Sequence, residues 1–245
     1  MIPWQTIAVD KFSNFIGNFL PLSEISVIGS CLEPNSIDIF SDVDLKILLS
    51  DNSAINFNKL IKAISQQFDG VFGYEVHNNC NNDVLRFCLN NGWRFDLTFV
   101  YSMPKVSVEA EILLSAKIDS IVNQFWFIAS MVLVKLGRND FLTAAHLALE
   151  LCQLNIVVQM LIRDDEKKSN IHRFGDSEHV PVLHPLTSSK RCGEFLENEK
   201  DKILGILFHA AEHMDKISLQ TIKNYTIRSE HLKTLNHLLL HNTGG

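Results

Sequence analysis

Apolar residues recur along this chain at two spacings, and the change from one to the other divides it. Over residues 7–20 the spacing is helical: Ile7, Phe12, Phe15, Ile16 and Phe19 form one stripe, Asp10, Lys11 and Asn14 lie opposite, and Pro21 stops the run. Residues 25–28 and 42–49 are short apolar runs that read as strands, parted by a polar loop containing the turn signal Pro34-Asn35. Leu60, Ile61, Ile64 and Phe68 predict a helix over 55–68, closed by Asp69-Gly70. Segments 72–76, 84–89 and 93–100 read as three further strands, and Asn90-Asn91-Gly92 between the last two is a hairpin signal. Beyond Pro104 the strand pattern stops. Helical periodicity covers 109–117, 121–136, 140–163, 192–214 and 219–240, with Asp119-Ser120 and Asn139-Asp140 at expected N-caps and 169–190 as an ordered loop. The expectation is an α+β chain: a mixed sheet with helices on one side over 1–107, then a helical bundle over 108–245.

The chemistry-bearing residues sit at the ends of these strands. The first strand runs into Gly29-Ser30, and the second opens Asp42-Val43-Asp44-Leu45. Side chains alternate across a strand, so Asp42 and Asp44 share one face while Val43 and Leu45 share the other. Two adjacent carboxylates repel each other and are costly to desolvate without a cation between them. Oxygen ligands of this kind suit Mg²⁺, which takes one or two protein carboxylates and completes its shell with water and substrate phosphate. Asp96, between Phe95 and Leu97, is a third carboxylate inside an apolar run. Each aspartate also has a plainer reading, as a turn residue for Asp42 or a solvent-facing strand residue for Asp44 and Asp96.

Gly-Ser, an intervening loop, Asp-x-Asp in a hydrophobic strand and a later aspartate flanked by apolar residues together resemble the signature of the polymerase-β-like nucleotidyltransferase superfamily. The resemblance implies that the first half is a nucleotidyltransferase domain. In it Asp42, Asp44 and Asp96 would be catalytic and hold two Mg²⁺ ions, while Gly29 and Ser30 would meet the triphosphate of ATP or another nucleoside triphosphate. Asp96 would either complete the second metal site or accept the acceptor's proton. Many members carry a basic residue soon after Gly-Ser, whereas the loop 31–41 here has only Glu33 and Asp38 as charges. Lys46, on the same strand face as Asp44, is one alternative source of positive charge. Lys135 is another: Trp126 followed by Lys135-Leu136-Gly137-Arg138-Asn139-Asp140 is similar to a helix that aminoglycoside and lincosamide nucleotidyltransferases use to bring a lysine to the triphosphate. Lys135 and Arg138 equally suit a helix C-terminus, where cations are favoured.

Composition narrows the partners. With 46% hydrophobic and 20% charged residues the chain is of globular type. A formal net charge of −6 weighs against gripping long nucleic acid, where neutralised phosphates dominate affinity. No uninterrupted apolar run approaches the ~20 residues that span a bilayer, and Met1-Ile2-Pro3-Trp4 does not open like a secretion signal. Cys31, Cys80, Cys88, Cys152 and Cys192 lack CxxC spacing and read as reduced cytoplasmic thiols. His146 and Glu150 share a helix face, and His172 and Arg173 lie in the loop beyond; the sequence assigns them no role, although Glu150 is an alternative base. The activity that the resemblance implies is Mg²⁺-dependent transfer of AMP to a hydroxyl of a small molecule such as an aminoglycoside or lincosamide. Transfer to a protein partner, as in toxin–antitoxin systems, and nucleotide binding without turnover remain the alternatives, and a homodimer stays open.

Overall fold

The computed structural model describes residues 3–21, 23–32, 37–50, 55–103, 113–166 and 199–240. It divides into two compact units, Met1–Ala110 and Glu111–Gly245.

The first unit runs α1 (Trp4–Phe19), β1 (Ser23–Ile28), a short 3₁₀ turn (Gly29–Leu32), β2 (Val43–Leu49), α2 (Phe57–Gln67), β3 (Val71–Asn78), β4 (Asn82–Leu89) and β5 (Arg94–Tyr101). The strands form one sheet in the order β1-β2-β5-β4-β3. Only β2 and β5 pair in parallel, so the sheet is mixed. One face is apolar throughout: Val43, Leu45, Ile47, Leu49, Leu85, Phe87, Leu89, Phe95, Leu97, Phe99 and Tyr101 cluster with Ala8, Phe12 and Ile16 of α1 and Leu60 and Ile64 of α2. Both helices therefore cover the same side of the sheet, as the period-two alternation requires when one face is core. Phe12 lies at the centre, its ring 4.5 Å from Phe95 and 5.5 Å from Phe87. The predicted hairpin is present: Leu89 N–H bonds to the Trp93 carbonyl, and Gly92 takes a φ of +84° between β4 and β5.

The first helix begins earlier than its apolar stripe suggested, and its buried positions are Gln5, Ala8, Phe12 and Ile16. Ile7, expected in the stripe, is 43% exposed. Trp4 shifts the start by stacking on Trp93 at 5.5 Å, while the buried Gln5 amide donates to the carbonyls of Asp38 and Ser41.

The second unit contains, among the described residues, α3 (Leu114–Gly137), α4 (Phe141–Glu166), α5 (Glu199–Thr221) and α6 (Ser229–Leu240). The expected cap at Asp119-Ser120 lies inside α3. Ile118, Val122, Phe125, Trp126 and Ala129 are buried at helical spacing across that point, so burial outweighs the local capping preference. The cap expected at Asn139-Asp140 is present: Asp140 Oδ1 accepts from Thr143 N–H, and Asn139 ends α3 in the left-handed region at φ +59°. The expected break at 215–218 is absent, because Asp215, Ile217 and Ser218 are buried within α5. The turn comes later, around Asn224 at φ +61°. Asp215 explains its place: it accepts from the backbone N–H groups of Arg228 and Ser229 at the start of α6, and from the Tyr225 hydroxyl, which in turn accepts from Trp126 Nε1. The expected helix start at 192, the segment 109–112 and the loop 169–190 lie outside the described residues.

By length and mean hydropathy (1.4 and 1.6), α3 and α4 could each cross a membrane, contrary to the expectation from uninterrupted runs. Of those stretches, 67% in α3 and 33% in α4 is buried.

Candidate active site

Strand pairing builds the site. Asp44 on β2 lies directly opposite Asp96 on β5, Asp96 lies opposite Arg86 on β4, and Arg86 lies opposite Glu75 on β3. These four side chains form a row across the sheet face that the core does not use. Asp42 stands two residues before Asp44 on the extended approach to β2, close enough that its charge acts on Asp44. The structure thus brings Asp42, Asp44 and Asp96 together, and adds two residues the sequence reading missed, Arg86 and Glu75.

Gly29 fits this face closely. It has a φ of +68°, and a Cβ on it would overlap the Asp44 carboxylate, coming within 2.9 Å of Cγ. Only glycine permits both the conformation and the approach. Ser30 follows in the same 3₁₀ turn and hydrogen-bonds Cys31. The Cys31 thiol donates to the Asp42 carbonyl, and burial together with the Asp44 charge pushes its pKa up, so it stays a thiol.

The loop that delivers Asp42 is held from beneath. Arg94, only 2% exposed, donates to the carbonyls of Gly92, Ile39 and Ser41, and its guanidinium lies 5.9 Å from the Trp4 ring centroid. Asp38 caps its own turn by accepting from Phe40 N–H and the Ser41 hydroxyl.

The carboxylates differ in their surroundings. Asp44 has its pKa raised to about 6, first by burial and then by the negative charges of Asp42 and Asp96, with Arg86 opposing. Asp96 is also pushed up by burial, against the charge and hydrogen bond of Arg86, whose Nε lies 2.7 Å from Oδ2. The same guanidinium reaches Glu75 at 3.6 Å, and His77 Nε2 lies 3.2 Å from the same Glu75 oxygen. Among the described residues no three His, Cys, Asp or Glu side chains are grouped to hold a metal as they stand. Asp96 turning to Arg86 is consistent with that.

Lys46 occupies the next row of the same face, opposite Ser26 and Thr98. Lys135 belongs to the helical unit, in the last turn of α3, with Nζ 3.9 Å from Asp140 Oδ2. On α4, His146 is exposed and Glu150 half-buried. His172 and Arg173 lie outside the described residues.

A signal for Arg86 was present in the sequence. It stands between Leu85 and Phe87 in an alternating strand, so it must leave the core face, and a hairpin closed at Asn90-Asn91-Gly92 puts it level with Asp96.

No protein-family model and no curated protein matches the sequence. Among solved structures, the polymerase core of TRAMP, an RNA surveillance complex, is similar at 13% identity and a TM-score of 0.33, over 85% of this chain and 56% of that one. This chain thus spans little more than half of that polymerase. An aminoglycoside 6-adenyltransferase from Bacillus subtilis is similar at 13% identity and a TM-score of 0.32, over 94% of this chain and 96% of that one. Likenesses this faint leave the reading to the residues themselves.

Proposed function

We propose that this chain is a divalent-metal-dependent nucleotidyltransferase that moves AMP from ATP to a hydroxyl of a small molecule, of the aminoglycoside or lincosamide kind. The observation that carries the reading is the Asp44–Asp96 pair across parallel strands, with Asp42 beside it and Gly29 pressed against the Asp44 carboxylate.

The residues fit a hard cation. The donors are all carboxylate oxygens, and the pKa of Asp44 is raised first by burial and then by neighbouring negative charge, both of which a bound cation would offset. Asp42 and Asp44 would hold it. When bound, Mg²⁺ supplies positive charge to the phosphate oxygens as negative charge develops on them. In the reaction the acceptor oxygen forms a bond to the α-phosphorus, the bond from that phosphorus to the bridging oxygen breaks, and pyrophosphate departs. The acceptor's proton needs a base, and Asp96 offers Oδ1, since its other oxygen is engaged by Arg86. Gly29 lets the backbone approach the triphosphate, Ser30 offers a hydroxyl and an N–H, and Lys46 supplies a cation on the same face. A cytoplasmic setting, with reduced thiols, accompanies this reading.

The test is pyrophosphate release from ATP and Mg²⁺ across a panel of hydroxylated antibiotics, with transfer of label followed from the α-phosphate. Labelling of the antibiotic supports the proposal. Labelling of a polypeptide would move the acceptor to a protein, and nucleotide binding without release would make the chain a binding module. The lysine taken from the family resemblance has its own test. Lys135→Ala is expected to raise the apparent constant for ATP more than that for the acceptor, and equal effects would remove this lysine from the triphosphate.

A further inference from the structure

We infer that the site holds a single divalent cation, on Asp42 and Asp44, and that the Arg86 guanidinium stands at Asp96 where a second ion would otherwise bind. The inference rests on the nucleotidyltransferase reading and refines its metal requirement.

The argument is one of placement. Arg86 and Asp96 are direct partners in the antiparallel β4–β5 ladder, so the guanidinium meets the carboxylate without having to reach. At 2.7 Å the Nε–Oδ2 contact is a charge-assisted hydrogen bond of ordinary short length. Glu75 flanks Arg86 from the other side in the adjoining ladder, so the guanidinium is drawn from both neighbours and held in the row. The remaining carboxylates are treated differently. No cation hydrogen-bonds Asp44 among the described contacts: the Gly29 backbone lies against it, the charges of Asp42 and Asp96 act on it, and Arg86 opposes them only through its charge. The row is therefore asymmetric, with acceptor oxygens crowded at the Asp42/Asp44 end and a permanent cation built in at the Asp96 end. An ion on the remaining Asp96 oxygen would stand beside a guanidinium already bonded to Oδ2, and that like-charge neighbour disfavours it. An arginine cannot lose its charge to make way for a second ion. On this view Arg86 acts through Asp96, as a positioning residue that keeps its carboxylate directed and free of metal.

The experiment counts Mn²⁺ bound to the full chain by electron paramagnetic resonance, with a non-hydrolysable α,β-methylene ATP present. Wild type is expected to bind one ion per chain, and Arg86→Lys, which keeps the charge, is expected to do the same. Arg86→Gln frees Asp96 and is expected to bind two. Arg86 lies on the sheet face away from the core with its side chain about half exposed, so its loss leaves the core untouched. Should that variant fail to fold, Asp96→Asn serves instead: the count stays at one if Asp96 holds no metal and falls if it does. Two ions on wild type, or one on a folded Arg86→Gln, overturns the inference. Two ions together with pyrophosphate release sinks the single-ion inference alone, whereas no bound Mn²⁺ and no release sinks it together with the nucleotidyltransferase reading.

Discussion

At Gly29 a left-handed φ and the nearness of the Asp44 carboxylate act together, and each alone would disfavour a side chain. Gly29→Ala is expected to cost about 1–2 kcal/mol from backbone conformation, and to push Asp44 aside. A urea melt reads the first effect and weakened Mn²⁺ binding the second; a variant with wild-type values of both would show that the turn tolerates a Cβ. Asp44 itself links the site to pH. Its ordinary carboxyl pKa of 3.8 is raised to about 6 in the folded chain, so between those values the folded state holds more protons than the unfolded one. Stability contributed by this group therefore falls as pH climbs through that window and stays at its lower level above it. Asp96, pushed up as well, adds in the same direction. Asp44→Asn removes the penalty, so its stability relative to wild type is expected to improve as pH rises from about 4 to about 6. Turnover is lost in the same variant. A stability difference that does not change with pH would assign Asp44 an ordinary carboxyl pKa.

At the scale of elements, the segment before β2 matters most, because it sets where Asp42 stands. Arg94 and Gln5 hold its carbonyls from the core side, and Trp4 and Trp93 close over that arrangement. Arg94→Met keeps most of the side-chain volume but leaves three carbonyls without this donor, at an expected cost of roughly 2–4 kcal/mol. In the folded variant Mn²⁺ affinity is expected to drop as Asp42 loses its support. Intact affinity in a destabilised protein would confine Arg94 to the core. The α5–α6 corner follows the same logic with opposite charge. Asp215 sits 4% exposed because two backbone N–H groups and the Tyr225 hydroxyl satisfy it, so a buried carboxylate becomes the cap of the following helix.

For the molecule as a whole, a divalent cation that binds the folded state alone must stabilise it in proportion to its occupancy. Mg²⁺ is expected to raise Tm, by more at pH values above the raised pKa of Asp44 than below it, since protonated Asp44 is a poor ligand. Chelation reverses the shift, and Asp44→Asn abolishes it. A shift of equal size in that variant would place the ion elsewhere. Much of this organisation is legible in the chain. Strand alternation foretold which residues of β2 and β5 face the core, and therefore that Asp42, Asp44 and Asp96 turn away from it together. Helix ends were less legible. Asp119-Ser120 carries the same local preference as Asp140, yet only Asp140 caps a helix, because what surrounds each differs.

The sequence by itself determined the alternating strands, the single-sided core, the Asn-Gly hairpin and the shared face of Asp42 and Asp44, because each follows from neighbours a few residues away. Tertiary structure alone decided that Arg86 and Glu75 complete the row, that Arg94 anchors the approach to Asp42, and that α5 continues through Asp215. Those outcomes depend on strand register and on partners far along the chain, which the folded core brings into contact and local spacing does not encode.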